Sequence, residues 1–335
     1  MHDKTKRPSS WRNLVTVAFE RCTPHEQRHS IELCQKRSEG KRWLRSIGLT
    51  SKESSYNTSG SGWSTKPESV HSMASRQEER KRQVLAYCKK TRARALQAKD
   101  LNHFIVDSKH RLVYCYIPKV ACSKWKKIMA KLVGLTGKSV HKQKFNFLSY
   151  HSKADIRYIL QNYYKFLFVR EPFERLLSAY RNKLTNQTDI YKLYASKIKQ
   201  SVRVRLGANE TSSALHGEFK FEDFISYLID THSIRGKIDE HWNHYDNLCH
   251  PCEIDFDFIG KYETLTEDAP FVLHEAGVDH LVSFPPVRYT STRNSLGDYY
   301  SKVPREDIMR VKKLYRRDLE MFGYNAKNSL GSIIK

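Results

Sequence analysis

The segment Leu112-Val-Tyr-Cys-Tyr-Ile-Pro-Lys-Val-Ala-Cys-Ser-Lys-Trp125 constrains the fold more than any other in the chain. Its apolar and aromatic run predicts a short buried strand over Leu112–Ile117, its Pro-Lys step a tight turn, and the residues after Ala121 a helix start. A turn of that kind aims backbone N–H groups and one cation at a bound anion. A second unit on the same plan follows: Phe166-Leu-Phe-Val169, then Arg170-Glu-Pro-Phe-Glu-Arg-Leu-Leu-Ser178. Two strand-to-helix anion sites in one domain point to a ligand with phosphate at both ends.

The surrounding pattern gives the fold class. Trp125, Ile128, Met129, Leu132 and Val133 recur at helical spacing until Gly134 and Gly137 end the run. Pro172 stands at the favoured first-turn position of the next helix, and Phe173, Leu176, Leu177, Tyr180 and Leu184 form one apolar stripe. Further helices are expected at 221–229 and 305–322, and a further strand at 256–260. Strands alternating with helices predict an α/β fold with a mainly parallel central sheet flanked by helices. No internal repeat is present.

Residues 1–80 read differently. Ser51 to Ser75 is rich in Ser, Gly and Thr, its flanks are crowded with Lys and Arg, and few apolar residues repeat at any period. A disordered basic stem over 1–80 is expected, then a folded domain over 81–326 entered by a basic helix at 77–99, then a tail over 327–335. Lys and Arg number 59 against 36 Asp and Glu, a net charge of +23. That excess calls for an acidic partner: nucleic acid, an anionic membrane surface, or an acidic polysaccharide or nucleotide. Hydrophobic residues at 39% still suffice for a globular core. No run of about 18 apolar residues reads as a spanning helix, and Leu14–Phe19 is too short for the apolar part of a signal peptide. Seven cysteines, at 22, 34, 88, 115, 122, 249 and 252, leave one over if the rest pair. Acceptor sequons stand at Asn57, Asn186 and Asn209, where N-glycans are possible.

Within the first unit the small Ala121, Cys122 and Ser123 let the backbone close on an anion, with charge from Lys119 and a hydroxyl from Ser123. The G-x-x-x-x-G-K-[ST] loop that wraps a triphosphate is absent, which disfavours ATP hydrolysis. In the second unit Arg170 ends a buried strand, where a cation is costly without an anionic partner. Ser178 lies two helical turns on, within reach of the same phosphate. Arg175 either joins them or pairs with Glu171 on the helix surface. The plain alternative for both units is a strand–turn–helix with surface charges. Cys249-His-Pro-Cys252 invites a zinc or redox reading, but no second ligand pair or thioredoxin-like pattern accompanies it. Arg181, Lys183, Lys192, Lys197, Lys199, Arg203 and Arg205 form either a track for a polyanionic glycan or a solvated basic face.

Together the two units closely resemble the Golgi carbohydrate sulfotransferases, in particular the branch acting on N-acetylgalactosamine 4-hydroxyls. That family carries P-K-V-A-C-[ST]-x-W, here Pro118–Trp125, and R-[ED]-P-F-E-R-L-x-S-A-Y-R-N-K, here Arg170–Lys183. Further likeness lies at Glu240-His-Trp242, Leu248-Cys-His-Pro-Cys252, Gly260-Lys-Tyr-Glu-Thr-Leu265 and Ser291-Thr-Arg293, and the resemblance runs from about residue 80 to Tyr324. It implies a P-loop-like sulfotransferase core and the donor PAPS (3′-phosphoadenylyl sulfate), with no metal. Pro118, Lys119, Val120, Ala121, Cys122, Ser123 and Lys124 would hold the 5′-phosphosulfate. Arg170, Glu171, Pro172, Phe173, Glu174, Arg175, Leu176, Leu177 and Ser178 would form the 3′-phosphate segment, gripping through Arg170 and Ser178. Lys119 would stabilise the leaving phosphate.

The resemblance also implies a base for the acceptor hydroxyl. His141 and His151 both fall between the two motifs; His151, in Leu148-Ser-Tyr-His-Ser152, is the better match, with His241 and Glu263 as alternates. It further implies a glycan or proteoglycan acceptor such as chondroitin or dermatan, a lumenal domain in the Golgi, attachment to the membrane, and a structural disulfide for Cys249 or Cys252, local or to another cysteine. Cys122 is read as a small loop residue. Two other readings remain: a sulfotransferase for a terminal glucuronic acid or another glycan, and a non-enzymatic basic module binding glycan or nucleic acid. The module would want exposed aromatics among its cations, whereas Trp125, Phe173 and Tyr180 occupy core-like positions, so no nucleic-acid partner is expected.

Overall fold

The computed structural model describes residues 67–137, 139–185, 189–206, 220–233, 238–286 and 292–331. Asn57, Asn186, Asn209, Ser291, Cys22 and Cys34 lie outside the described residues, as does the stem up to residue 66. Four strands form one sheet in the order β1 (Phe104–Asp107), β2 (Leu112–Cys115), β3 (Tyr164–Val169), β4 (Phe258–Lys261). β1 runs antiparallel to β2, and the β2–β3 and β3–β4 pairs are parallel. The mainly parallel α/β fold expected from the sequence is therefore the fold found. β2 is buried along its whole length and β3 along nearly all of it, as parallel strands covered on both faces require. β1 was not foreseen; it hairpins onto β2 in four residues, too short a run to show a period.

Helices cover the sheet and continue beyond it. α1 (Pro67–Cys88) packs at the β4 edge, α2 (Cys122–Leu132) follows β2, and α3 (Lys153–Asn162) leads into β3. α4 (Pro172–Lys183) follows β3, and α5 (Asp189–Leu206) and α6 (Phe221–Ser233) pack beside each other. After α7 (Tyr245–Cys249) and β4 come α8 (Leu265–Glu275), α9 (Leu296–Tyr300), α10 (Arg305–Leu314), α11 (Arg316–Phe322) and α12 (Ala326–Leu330). One apolar cluster surrounds the sheet. A second joins α4, α5, α6 and the C-terminal helices around Trp242. Among the described residues no helix is long and apolar enough to cross a membrane.

Several boundaries differ from expectation, each for a visible reason. The leading helix occupies Pro67–Cys88 rather than 77–99. Its Gln77 amide bonds both the N–H and the C=O of Ile259, at 3.0 and 3.2 Å, and Arg80 bonds Ile259 O at 2.9 Å and Asp268 at 2.7 Å. These side chains satisfy the open edge of β4, so α1 is part of the folded unit. The helix stops at Cys88, which is disulfide-bonded to Cys252. The helix expected over 305–322 breaks at Tyr315, whose buried hydroxyl donates to Trp242 O. At the C-terminus the chain stays packed beyond 326, since Leu330 of α12 is 1% exposed. Gly260 on β4 lets the Phe168 ring lie against it; a Cβ there would stand 2.1 Å from that ring.

Candidate active site

Parallel pairing places the two motifs together. Cys115 at the end of β2 aligns with Leu167, and Val169 at the end of β3 aligns with Lys261. The turns after β2, β3 and β4 therefore leave the sheet on one edge, outside the strands' carboxyl ends, where open α/β sheets bind ligands.

The first turn is held in an unusual backbone state. Lys119 and Ala121 have φ of 71° and 54°, left-handed values that non-glycine residues adopt at a cost of about 1–2 kcal/mol. Two anchors over-determine the bend: Val120 is 1% exposed, and Trp125 is fully buried against Phe166, Phe168 and Phe284 at ring separations of 4.9–5.0 Å. α2 begins at Cys122 without a side-chain cap. The first N–H groups of a helix lack intrahelical acceptors, so this uncapped start is suited to an anion. Cys122 carries a free, half-buried thiol, and Ser123 Oγ lies 3.0 Å from His141 Nε2. Lys124 turns aside, donating to Pro286 O at 2.7 Å. Lys119 Nζ donates to Asn182 Oδ1 at 3.0 Å. Burial lowers the Lys119 pKa to about 8; the Cys122 thiol opposes this, and Lys183, Arg170 and Arg175 add to it.

The second turn is buried and internally balanced. Arg170 is 2% exposed; it donates to Glu174 Oε2 at 3.2 Å and lies 4.2 Å over the Tyr262 ring. The anionic partner that its burial demands is thus a neighbouring carboxylate, although Arg170 Nε is buried without a partner. Glu171 caps α4 by accepting from the Glu174 N–H at 2.8 Å, and its own N–H donates to Glu263 Oε1 at 2.8 Å. Burial pushes the Glu171 carboxyl up to about 8, against the lowering effect of that capping bond. Pro172 opens the helix, and Phe173, Leu176 and Leu177 are core. Ser178 is half-buried and lies four residues before Asn182, so the two share a helix face. Lys119 is thereby held within one turn of Ser178. A cavity of about 260 Å³ lies beside this turn, lined by Glu171, Glu174, Glu263, Arg293 and Tyr324 among others, and not by Lys119 or Ser178.

Arg175 does not pair with Glu171. Its guanidinium donates to Pro118 O at 3.1 Å, Asn243 O at 2.6 Å and Glu240 O at 3.0 Å. It is 1% exposed, so it acts as an internal brace between the first turn and the Glu240–Asn243 segment. Nothing in a one-dimensional pattern separates such a brace from a ligand-binding arginine. Asn182 stands in the R-N-K end of the same motif, where the sequence pattern by itself gives it no role. His151 follows a short helical turn and its Nε2 meets Asn146 Oδ1 at 2.9 Å. The cysteine question resolves to long-range pairs: Cys115–Cys249 and Cys88–Cys252. Trp125, Phe173 and Tyr180 are all buried, as their spacing indicated.

Comparison with known proteins bears on this geometry. A family model described as "Sulfotransferase family" matches residues 102–325. Carbohydrate sulfotransferase 11 of Rattus norvegicus is 40% identical over 252 residues, covering 71% of this chain and 71% of that protein. Carbohydrate sulfotransferase 12 of Xenopus laevis is 34% identical over 322 residues, covering 83% and 76%. Carbohydrate sulfotransferase 14 of Homo sapiens is 37% identical over 237 residues, covering 68% and 61%. No solved structure matches the chain.

Proposed function

Because the chain belongs to the sulfotransferase family, we propose that it transfers sulfate from PAPS to a sugar hydroxyl, the 4-position of N-acetylgalactosamine in chondroitin, dermatan or a related glycan. The observation that carries this reading is the Lys119–Asn182 contact, which brings the one turn cation to the helix face that bears Ser178. In this reading the core is P-loop-like in use. The uncapped N–H groups at Cys122 and Ser123 hold the 5′-phosphosulfate. Arg170, through its unpartnered Nε, and Ser178 hold the 3′-phosphate. Pro118, Val120, Phe173, Leu176 and Leu177 shape the two turns from the core side.

Lys119 neutralises charge on the phosphate as it leaves. A cation placed where charge develops contributes to the rate without reorganising during the reaction. The acceptor is a glycan of the proteoglycan class, drawn to the basic surface. Disulfides persist in oxidising compartments, and the two present here agree with a Golgi-lumenal domain of a membrane-attached protein. Transfer of labelled sulfate from PAPS to desulfated chondroitin, dermatan and N-glycan acceptors tests the reading. Transfer to chondroitin or dermatan is expected. Absence of transfer to every acceptor, with nucleotide binding that merely collapses in salt, would instead support a basic binding module.

A further inference from the structure

Asp239 and His241 form a dyad beside the first turn. Asp239 Oδ1 lies 2.7 Å from His241 Nδ1 and accepts from the His241 backbone N–H at 2.9 Å. A carboxylate only accepts, so Nδ1 carries the proton and Nε2 keeps its lone pair. Among the described residues Nε2 takes no hydrogen bond, and 12% of the side chain is exposed. The Nε2 atoms of the other two candidate histidines are engaged, that of His141 with Ser123 and that of His151 with Asn146.

The dyad is braced from two sides. Trp242 is 1% exposed and packs on Tyr194 and Phe224 at 5.0 and 5.3 Å, which fixes the backbone next to His241. Arg175 bonds the carbonyls of Glu240 and Asn243, on either side of His241-Trp242, and with the same guanidinium bonds the carbonyl of Pro118. The residue after Pro118 is Lys119. Burial would raise the Asp239 carboxyl, but hydrogen bonds from His241 and Tyr194 outweigh it and hold it below its usual range. Glu240, Lys126 and Lys183 each act electrostatically on the nearby His141, as does His241 itself.

We propose that His241 is the general base of the transfer, and that Asp239 is the positioning residue that fixes its tautomer; this rests on the sulfotransferase reading above. The acceptor oxygen forms a new bond to sulfur. The bond from sulfur to the 5′-phosphate oxygen breaks, its electron pair staying on the phosphate. The hydroxyl proton passes to His241 Nε2 and then to solvent.

The test is sulfate transfer from PAPS to desulfated chondroitin by the full chain and by His241→Gln, Asp239→Asn and His151→Gln, from about pH 5 to about pH 9, with binding of adenosine 3′,5′-bisphosphate measured alongside. His241→Gln is expected to lose about 10²–10⁴-fold in kcat with bisphosphate affinity kept. Asp239→Asn is expected to lose at least about tenfold in kcat with KM and bisphosphate affinity little changed. Full activity in His241→Gln, or a loss confined to His151→Gln, overturns the proposal. Should His241→Gln fail to fold, an unchanged kcat in Asp239→Asn overturns it instead. A wild-type chain that binds the bisphosphate but transfers to none of the desulfated chondroitin, dermatan and N-glycan acceptors refutes the sulfotransferase reading, and the proposed base with it.

Discussion

The Lys119 turn and the Arg170 turn share a plan, a buried strand end feeding a helix, and are stabilised in opposite ways. The first holds two non-glycine residues in left-handed conformation and keeps its cation half-exposed on a single amide contact. The second keeps an ordinary backbone entry and buries its cation against Glu174 and Tyr262, with Glu171 and Glu263 locking the bend. Strain in the backbone fixes the direction of N–H groups but leaves the side chain free to follow developing charge. A buried, charge-balanced arginine cannot follow anything; it defines a fixed point. The pair thus suits a ligand anchored at one end and reacting at the other.

Removing the free cation should have the largest effect. Lys119→Ala is expected to lower sulfate turnover by about 10²–10³-fold, the loss typical of one preorganised donor to transition-state charge, with the melting temperature little changed. If turnover and stability fall together, the lysine is a structural member and the contrast between the turns fails. Next, Arg175→Met severs the brace that joins the first turn to the Glu240–Asn243 segment. Three carbonyls, one in a buried bond and two in part-buried ones, lose their donor, which should cost about 3 kcal/mol in chemical denaturation. An unchanged denaturation midpoint would mean that the turn holds itself.

The lowered Lys119 pKa gives a third, smaller effect with opposite signs for binding and folding. As pH rises through about 8 the free ammonium loses its proton, so affinity for adenosine 3′,5′-bisphosphate should fall by up to about tenfold between pH 7 and 9. The unfolded chain binds more protons than the folded one between about 8 and 10.5, so the lysine's contribution to stability rises over that interval. Titration calorimetry in buffers of different protonation enthalpy should show proton uptake on binding near pH 8. The smallest effect concerns the strained backbone itself. Ala121→Gly should raise stability by about 1 kcal/mol by relieving the left-handed conformation, whereas the same change at Ala179 inside α4 should lower it.

Much of this was legible in the chain, and the reason differs from element to element. β2, β3 and β4 announce themselves because strands buried on both faces are continuous apolar runs. α4 is marked by Pro172 and its stripe. β1 and the true extent of α1 were not legible. β1 is four residues long, and α1 is held by polar side chains, Gln77 and Arg80, that reach the sheet edge across a sequence separation of about 180 residues. Spacing and resemblance single out Lys119, Ser123, Arg170 and Ser178 as the proposed site, and the fold brings Lys119 to the helix that carries Ser178. The Asp239–His241 pair could not be ranked, because an orienting carboxylate two residues away is visible only once the backbone is folded.

The claim that one nucleotide is held at its two ends is tested most directly by a ligand–variant cycle. Affinities of adenosine 3′,5′-bisphosphate and of adenosine 5′-monophosphate are measured by calorimetry for the wild-type chain, Lys119→Ala and Ser178→Ala. The account predicts that Lys119→Ala weakens both ligands alike, while Ser178→Ala weakens the bisphosphate by about fivefold or more and leaves the monophosphate unaffected, as expected when a hydroxyl contacts only the 3′-phosphate. Equal weakening of both ligands by Ser178→Ala, or indifference of both to Lys119→Ala, would contradict it.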